Sequence, residues 1–167
     1  LTAIAHNLKE YRSQLARHVK MMVMVKAFAY GSGSAEIAGL LQFHKVDYLG
    51  VAYADEGVEL RKAGIHLPIM VMNVDEAAFA AITEYNLEPE LFSFPIFTAF
   101  LQFLQQQGVT KYPVHIKLDT GMHRLGFEAA DIPQLQHLLA HNQYMIVQSV
   151  FSHLAASEDP NEDAFTQ

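Results

Sequence analysis

The stretch Met21-Met22-Val23-Met24-Val25-Lys26-Ala27-Phe28-Ala29-Tyr30-Gly31-Ser32-Gly33 joins an unbroken apolar run to a lysine. Four residues later a tyrosine opens a Gly-Ser-Gly turn. Five consecutive apolar residues rich in Met and Val fit a parallel strand covered on both faces. Alternation puts Met22, Met24 and Lys26 on one face of that strand and Val23 and Val25 on the other. Two readings of the lysine stand open. It can snorkel to water while its stem covers apolar surface. Alternatively, it is a desolvated amine of lowered pKa, able to form a Schiff base with a carbonyl. The glycines keep side chains away, and their amides can face a phosphate, with the Tyr30 hydroxyl as a further donor.

Working outward, short apolar runs recur at Tyr48–Ala52, Ile69–Met72, Leu91–Phe94, Val114–Leu118 and Val147–Phe151. Segments of helical character lie between them: Ala35–Phe43, Asp55–Ala63, Asp75–Tyr85, Phe97–Gln107 and Asp131–Leu139. Pro133 is tolerated in a first turn, and Gly64 and Gly108 are expected to be left-handed caps. Thr2–Val19 reads as a leading helix with Leu8, Tyr11 and Leu15 at helical spacing. Such alternation means βαβ units and a parallel sheet, either doubly wound or a (β/α) barrel. No G-x-G-x-x-G follows the first strand, which weakens a dinucleotide fold. Six strands are two short of a closed barrel, and Gln167 falls inside the helix expected after the sixth. The chain also opens inside a helix without an initiator methionine, as an excised piece would.

Reactive side chains gather at the strands' carboxyl ends, where barrel enzymes keep their chemistry. On the fifth strand, alternation places His115, Lys117 and Asp119 on one unusually polar face. The Asp119-Thr120-Gly121 turn then brings Arg124 back over the strand end. Read on its own, this is a salt-bridged strand end, Asp119 with Lys117 or Arg124. His115 is read as structural. Asp55 or Glu56 is expected to start the next helix without touching substrate.

Three segments carry a resemblance. Lys26-Ala27-Phe28-Ala29-Tyr30-Gly31-Ser32-Gly33 resembles the cofactor-lysine motif of bacterial alanine racemases, fold-type III pyridoxal phosphate enzymes, and departs from it at Phe28 and Ser32. Lys117-Leu118-Asp119-Thr120-Gly121-Met122-His123-Arg124-Leu125-Gly126-Phe127 is close to the family's second signature. Ser152-His153-Leu154-Ala155-Ala156-Ser157-Glu158 is similar to its histidine segment, and Ala5-His6-Asn7-Leu8 to its opening.

The resemblance implies a TIM-type (β/α) barrel, residues 1–167 being part of the N-terminal cofactor-binding domain. The last two strands and a C-terminal β domain lie outside this stretch. It implies that Lys26 carries pyridoxal 5'-phosphate and exchanges the proton on one face of the substrate Cα. Tyr30 would bond the phosphate, Arg124 the phenolic oxygen, and His153 would pack against the ring. Lys117 is a candidate for carbamylation, which would hold Arg124. The implied activity is interconversion of L- and D-alanine for bacterial wall synthesis, in a cytoplasmic homodimer. The second acid/base would come from a tyrosine beyond this chain, so this piece alone is expected to be inactive. Two alternatives are a pyridoxal phosphate carrier or a racemase for another amino acid such as serine; a third is a vestigial interaction module.

Composition limits the alternatives. Half of the 167 residues are hydrophobic (51%) and 17% are charged, so a sizeable core is expected. A net charge of −7 without a basic cluster argues against nucleic acid and anionic membranes as partners. Cysteine is absent, which excludes disulfides and thiolate metal sites. His44, His66, His137 and His141 have no metal-ligand spacing, and no metal is expected.

Overall fold

The computed structural model describes residues 1–162 and Ala164. Six strands alternate with helices in chain order, and the chain divides into two compact units, Leu1–Glu88 and Pro89–Gln167.

In the first unit β1 (Met22–Met24), β2 (Tyr48–Val51) and β3 (Ile69–Val71) are parallel neighbours, with Val23 opposite Leu49 and Leu49 opposite Ile69. They are joined through α2 (Lys26–Gly31), α3 (Ser34–Phe43) and α4 (Ala54–Lys62), and α5 (Phe79–Glu84) follows. Leu49, Val51, Ile69 and Val71 are wholly buried, as a parallel strand covered on both faces requires. Within the residues described, β1 lies at one end of the strand order and pairs with β2, Met22 being exposed and Met24 half-buried.

The leading helix, α1 (Thr2–Gln14), stops five residues before the expected Val19. Leu8 is its one buried residue, and Tyr11 remains 69% exposed. A short helix persists through burial of its apolar face, and here too little of that face is covered to extend it. Arg61 ties the loops of this unit together. Its guanidinium donates to the carbonyls of Ile65 (2.9 Å), Leu67 (2.7 Å), Tyr85 (3.0 Å) and Asn86 (2.9 Å). A lysine cannot serve four acceptors from one rigid plane. On β2 the Tyr48 hydroxyl donates to Glu88 at 3.0 Å, and burial, then the Glu88 charge, push its pKa up to about 12.

The second unit takes in β4 (Glu88–Leu91) from Pro89 onward, β5 (Tyr112–Lys117) and β6 (Met145–Phe151), again parallel. β4 lies three residues earlier than the Leu91–Phe94 run suggests. Two glutamates and a proline disguise it as a non-strand, while Ser93 already caps α6 (Phe94–Gln107). That helix buries Phe97, Phe100 and Leu104 on one face, and it ends at Gly108 in the left-handed conformation expected there. Pro133 sits in the first turn of α7 (Ile132–Ala140). Beyond β6 a short 3-10 turn (Pro160–Glu162) is present, and the rest of the expected final helix lies outside the described residues. No helix among the described residues is long and apolar enough to cross a membrane.

Register explains the polar face of β5. Glu90 stands opposite His115, and His115 opposite Ser149. Glu90 and His115 are 1% exposed, and His115 Nδ1 lies 2.7 Å from Ser149 Oγ. Buried polar groups need such partners, so His115 has the structural role the sequence suggests.

Candidate active site

Lys26 stands two residues past the end of β1, half-buried at its carboxyl end. The ladder continues one residue past the strand, Val25 N–H donating to Gly50 at 2.9 Å, and then the backbone changes hand. Ala27, Phe28, Ala29 and Tyr30 have φ of 52°, 55°, 50° and 55°. Lys26 is therefore the first residue of a left-handed turn, not the last of a strand face shared with Met22 and Met24.

Left-handed backbone costs L-residues about 1–2 kcal/mol each, so four in a row amount to about 4–8 kcal/mol. Strain of this kind collects where function needs an otherwise unfavourable geometry. The turn is closed by the Ala29 N–H on the Val25 carbonyl (3.1 Å) and the Gly33 N–H on that of Phe28 (3.1 Å). It buries Ala29 and turns Phe28 and Tyr30 outward, 64% and 67% exposed. Lys26 and Tyr30 thus sit at the two ends of a single turn.

The Gly-Ser-Gly amides do not all face outward as anticipated. Those of Ser32 and Gly33 are spent on the Ala29 and Phe28 carbonyls. Anion-binding capacity passes instead to the first turn of α3, whose cap, Gly33, has no side chain to satisfy its amides. Glu36 lies in that first turn and opposes an anion there.

Glu56 is the residue that sequence reasoning undervalued. It does lie in the first turn of α4, but its carboxylate also leaves that helix. Oε1 accepts from the Ala27 amide at 2.7 Å, and Oε2 accepts from Ala52 (2.6 Å) and Tyr53 (3.2 Å). The reach back to Tyr53 is half of a capping box, which the sequence could have signalled. The reach to Ala27, 29 residues away, has no local signature.

In the second unit, Lys117 is the last residue of β5 and is 4% exposed, its Nζ 4.7 Å from the centre of the Phe151 ring. No carboxylate lies within ion-pair reach of it among the described residues. Asp119 does not pair with Lys117 or Arg124. It accepts from the Gly121 and His123 amides, both at 3.0 Å, and its Oδ2 lies 3.3 Å from His123 Nδ1. Carboxylates at such turns bind their own backbone because those donors are already at hand.

The loop then closes on the strand. Asp119 N–H donates to Phe127, and Phe127 N–H to Lys117, both at 2.9 Å. Phe127 is buried edge-on against Phe94, ring centres 5.1 Å apart. Arg124 rides exposed on this closed loop. His153 follows β6, also exposed, and shares with Lys117 the carboxyl end of that strand pair.

The amides of Gly121 and His123 hold the Asp119 carboxyl below the usual carboxylate range. A carboxyl lowered on folding contributes stability above its unfolded value, near pH 4, and loses it as pH falls through the folded one. We expect the 119–127 loop to stay ordered at neutral pH and to loosen in acid, while Asp119→Asn loosens it at every pH. Hydrogen exchange of the Gly121 and His123 amides reads this; equal protection at neutral pH and near pH ~3 contradicts it.

The donor chemistry fits pyridoxal phosphate. The first unit offers a half-buried amine for the aldehyde and a tyrosine hydroxyl for the phosphate. The second unit offers an arginine held on a closed loop.

The chain is also similar to known racemases over its whole length. An alanine racemase of Synechocystis sp. is 35% identical over 168 residues, covering 99% of this chain and 45% of its own length. A Clostridium difficile 630 alanine racemase solved in complex with cycloserine superposes with a TM-score of 0.91 at 30% identity, over 98% of this chain and 45% of that one. A histidine racemase from Leuconostoc mesenteroides subsp. sake matches with a TM-score of 0.87 at 28% identity, over 99% and 45%. The chain therefore spans less than half the length of these relatives, and it shares their TIM-type (β/α) fold over that span. A family model described as the alanine racemase N-terminal domain matches residues 1–167, and the chain belongs to the alanine racemase family.

Proposed function

We propose that residues 1–167 are part of the pyridoxal phosphate-binding barrel domain of a racemase that interconverts L- and D-alanine. The observation carrying this is Lys26, half-buried at a strand's carboxyl end and leading a strained left-handed turn that ends in Tyr30. When bound, the cofactor supplies an electron sink that lowers the cost of negative charge at the substrate Cα. Lys26 would anchor it and would move a proton to or from Cα on one face. Tyr30 would donate to the phosphate. Arg124 would donate to the phenolic oxygen, and His153 would pack beside the ring.

Lys117, buried without a carboxylate partner, is suited to carbamylation, which would turn it into an anion for Arg124. An added mass of one carboxyl group on Lys117 tests this. We assign the protein to a cytoplasmic homodimer that supplies D-alanine for wall synthesis. The opposing acid/base comes from a partner subunit, and these residues alone do not turn over alanine.

The test is capture of pyridoxal phosphate, fixed by borohydride and located by mass spectrometry. Label on Lys26 supports the reading; label scattered over surface lysines, or none, sinks it. The same fold and extent in the histidine racemase favour a second reading, a racemase for another amino acid. Comparing alanine, serine and histidine as substrates of the full-length protein decides between them.

A further inference from the structure

We propose that Glu56 is a positioning residue for Lys26, its carboxylate fastening the left-handed turn that Lys26 leads to the loop after β2. This deepens the assignment of Lys26 above and rests on it.

Three backbone donors from two loops converge on this one carboxylate. Oε1 takes the Ala27 amide at 2.7 Å, and Oε2 takes Ala52 at 2.6 Å and Tyr53 at 3.2 Å. Ala27 is both the residue after the amine and the first of the four left-handed residues. Its amide is the donor through which tension on that turn would reach Lys26. The turn's own bonds begin later, at the Ala29 amide, so they leave the Ala27 peptide to Glu56.

Ala52 and Tyr53 sit at the end of β2, beside the β1 edge from which Lys26 emerges. Glu56 therefore refers the lysine's backbone to the neighbouring strand rather than to its own flexible neighbours. A charged acceptor makes each bond stronger than a neutral one would, and α4 holds the carboxylate at its third residue. Removing it leaves the fold's apolar core untouched but frees the peptide that aims the amine.

The experiment compares Glu56→Ala and Glu56→Gln with the unaltered protein in the full chain, with Asp75→Ala as control. Asp75 caps a turn of the same unit, accepting from Ala78 at 3.0 Å, and lies outside the candidate site. Hydrogen exchange of the Ala27 amide is measured without cofactor, and the affinity for pyridoxal phosphate on Lys26 by borohydride trapping. We expect Ala27 exchange to rise about tenfold or more in Glu56→Ala, and affinity at Lys26 to fall about tenfold to a hundredfold. Glu56→Gln should fall between, since a single carbonyl oxygen can serve only one of the two loops.

Unchanged Ala27 exchange in Glu56→Ala overturns the proposal. So does an equal loss of affinity in Asp75→Ala, which would mean that Glu56 acts through general stability. If the unaltered protein takes no cofactor on Lys26, the assignment of Lys26 fails and the positioning role falls with it. The Ala27 exchange, read without cofactor, then still shows whether the clamp exists.

Discussion

On the function proposed above, Lys26→Arg is expected to abolish capture of pyridoxal phosphate at this position and to lower racemisation by the full-length protein on the order of 10³-fold or more. The positive charge survives this substitution, so long-range electrostatics are kept. What is lost is a primary amine able to join an aldehyde and to give up a proton, because guanidinium stays protonated throughout the usable pH range. Lys26→Ala should behave alike towards the cofactor. Neither substitution should unfold the first unit, since the side chain is half-buried and the core is made by Leu49, Val51, Ile69 and Val71. The measurement pairs the visible absorbance of the cofactor-loaded protein with a thermal melt. Retention of the band in Lys26→Arg, or its loss only together with the melt, would mean that another amine or mere misfolding is responsible.

Gly126→Ala should be strongly damaging to the second unit. Gly126 has φ of 133°, and an added Cβ would meet the Leu118 carbonyl carbon and oxygen at 2.5 and 2.9 Å and the Asp119 amide nitrogen. All three are backbone atoms of a bonded turn and cannot step aside. The turn would have to open, breaking the Asp119–Phe127 and Phe127–Lys117 bonds and lifting Phe127 from Phe94. A loss of about 3 kcal/mol or more follows from strain and overpacking together.

Gly39→Ala is the useful contrast. It lies within helical α3 with nothing within 4 Å of the new methyl. There the change should be neutral or stabilise by about 0.5–1 kcal/mol. Urea unfolding of both variants gives opposite shifts if this account holds. Equal stability of Gly126→Ala and the unaltered protein would be incompatible with the closed loop.

The candidate site is partly legible in the sequence. The apolar run ending in Lys26 and the polar alternation of β5 single out Lys26, Tyr30 and Lys117, and the family resemblance supplies the roles of these residues, as it does those of Arg124 and His153. The partners of those residues are not legible in the same way. Sequence proximity of opposite charges points Asp119 to a cation, whereas the nearer donors are its own turn's amides. The local pattern of Glu56 points to a helix start, and nothing local reports Ala27.

By itself the sequence determined the alternation of strand and helix, the apolar faces, the caps at Gly64 and Gly108, and the short list of reactive side chains. These depend on periodicity and on each residue's own conformational preference. Tertiary structure alone decided that β4 starts at Glu88 despite its proline, and that the four non-glycine residues after Lys26 run left-handed. Each of those is locally unfavourable. It exists because contacts made by distant residues, such as the Glu56 carboxylate on the Ala27 amide, offset what the local chain would otherwise avoid.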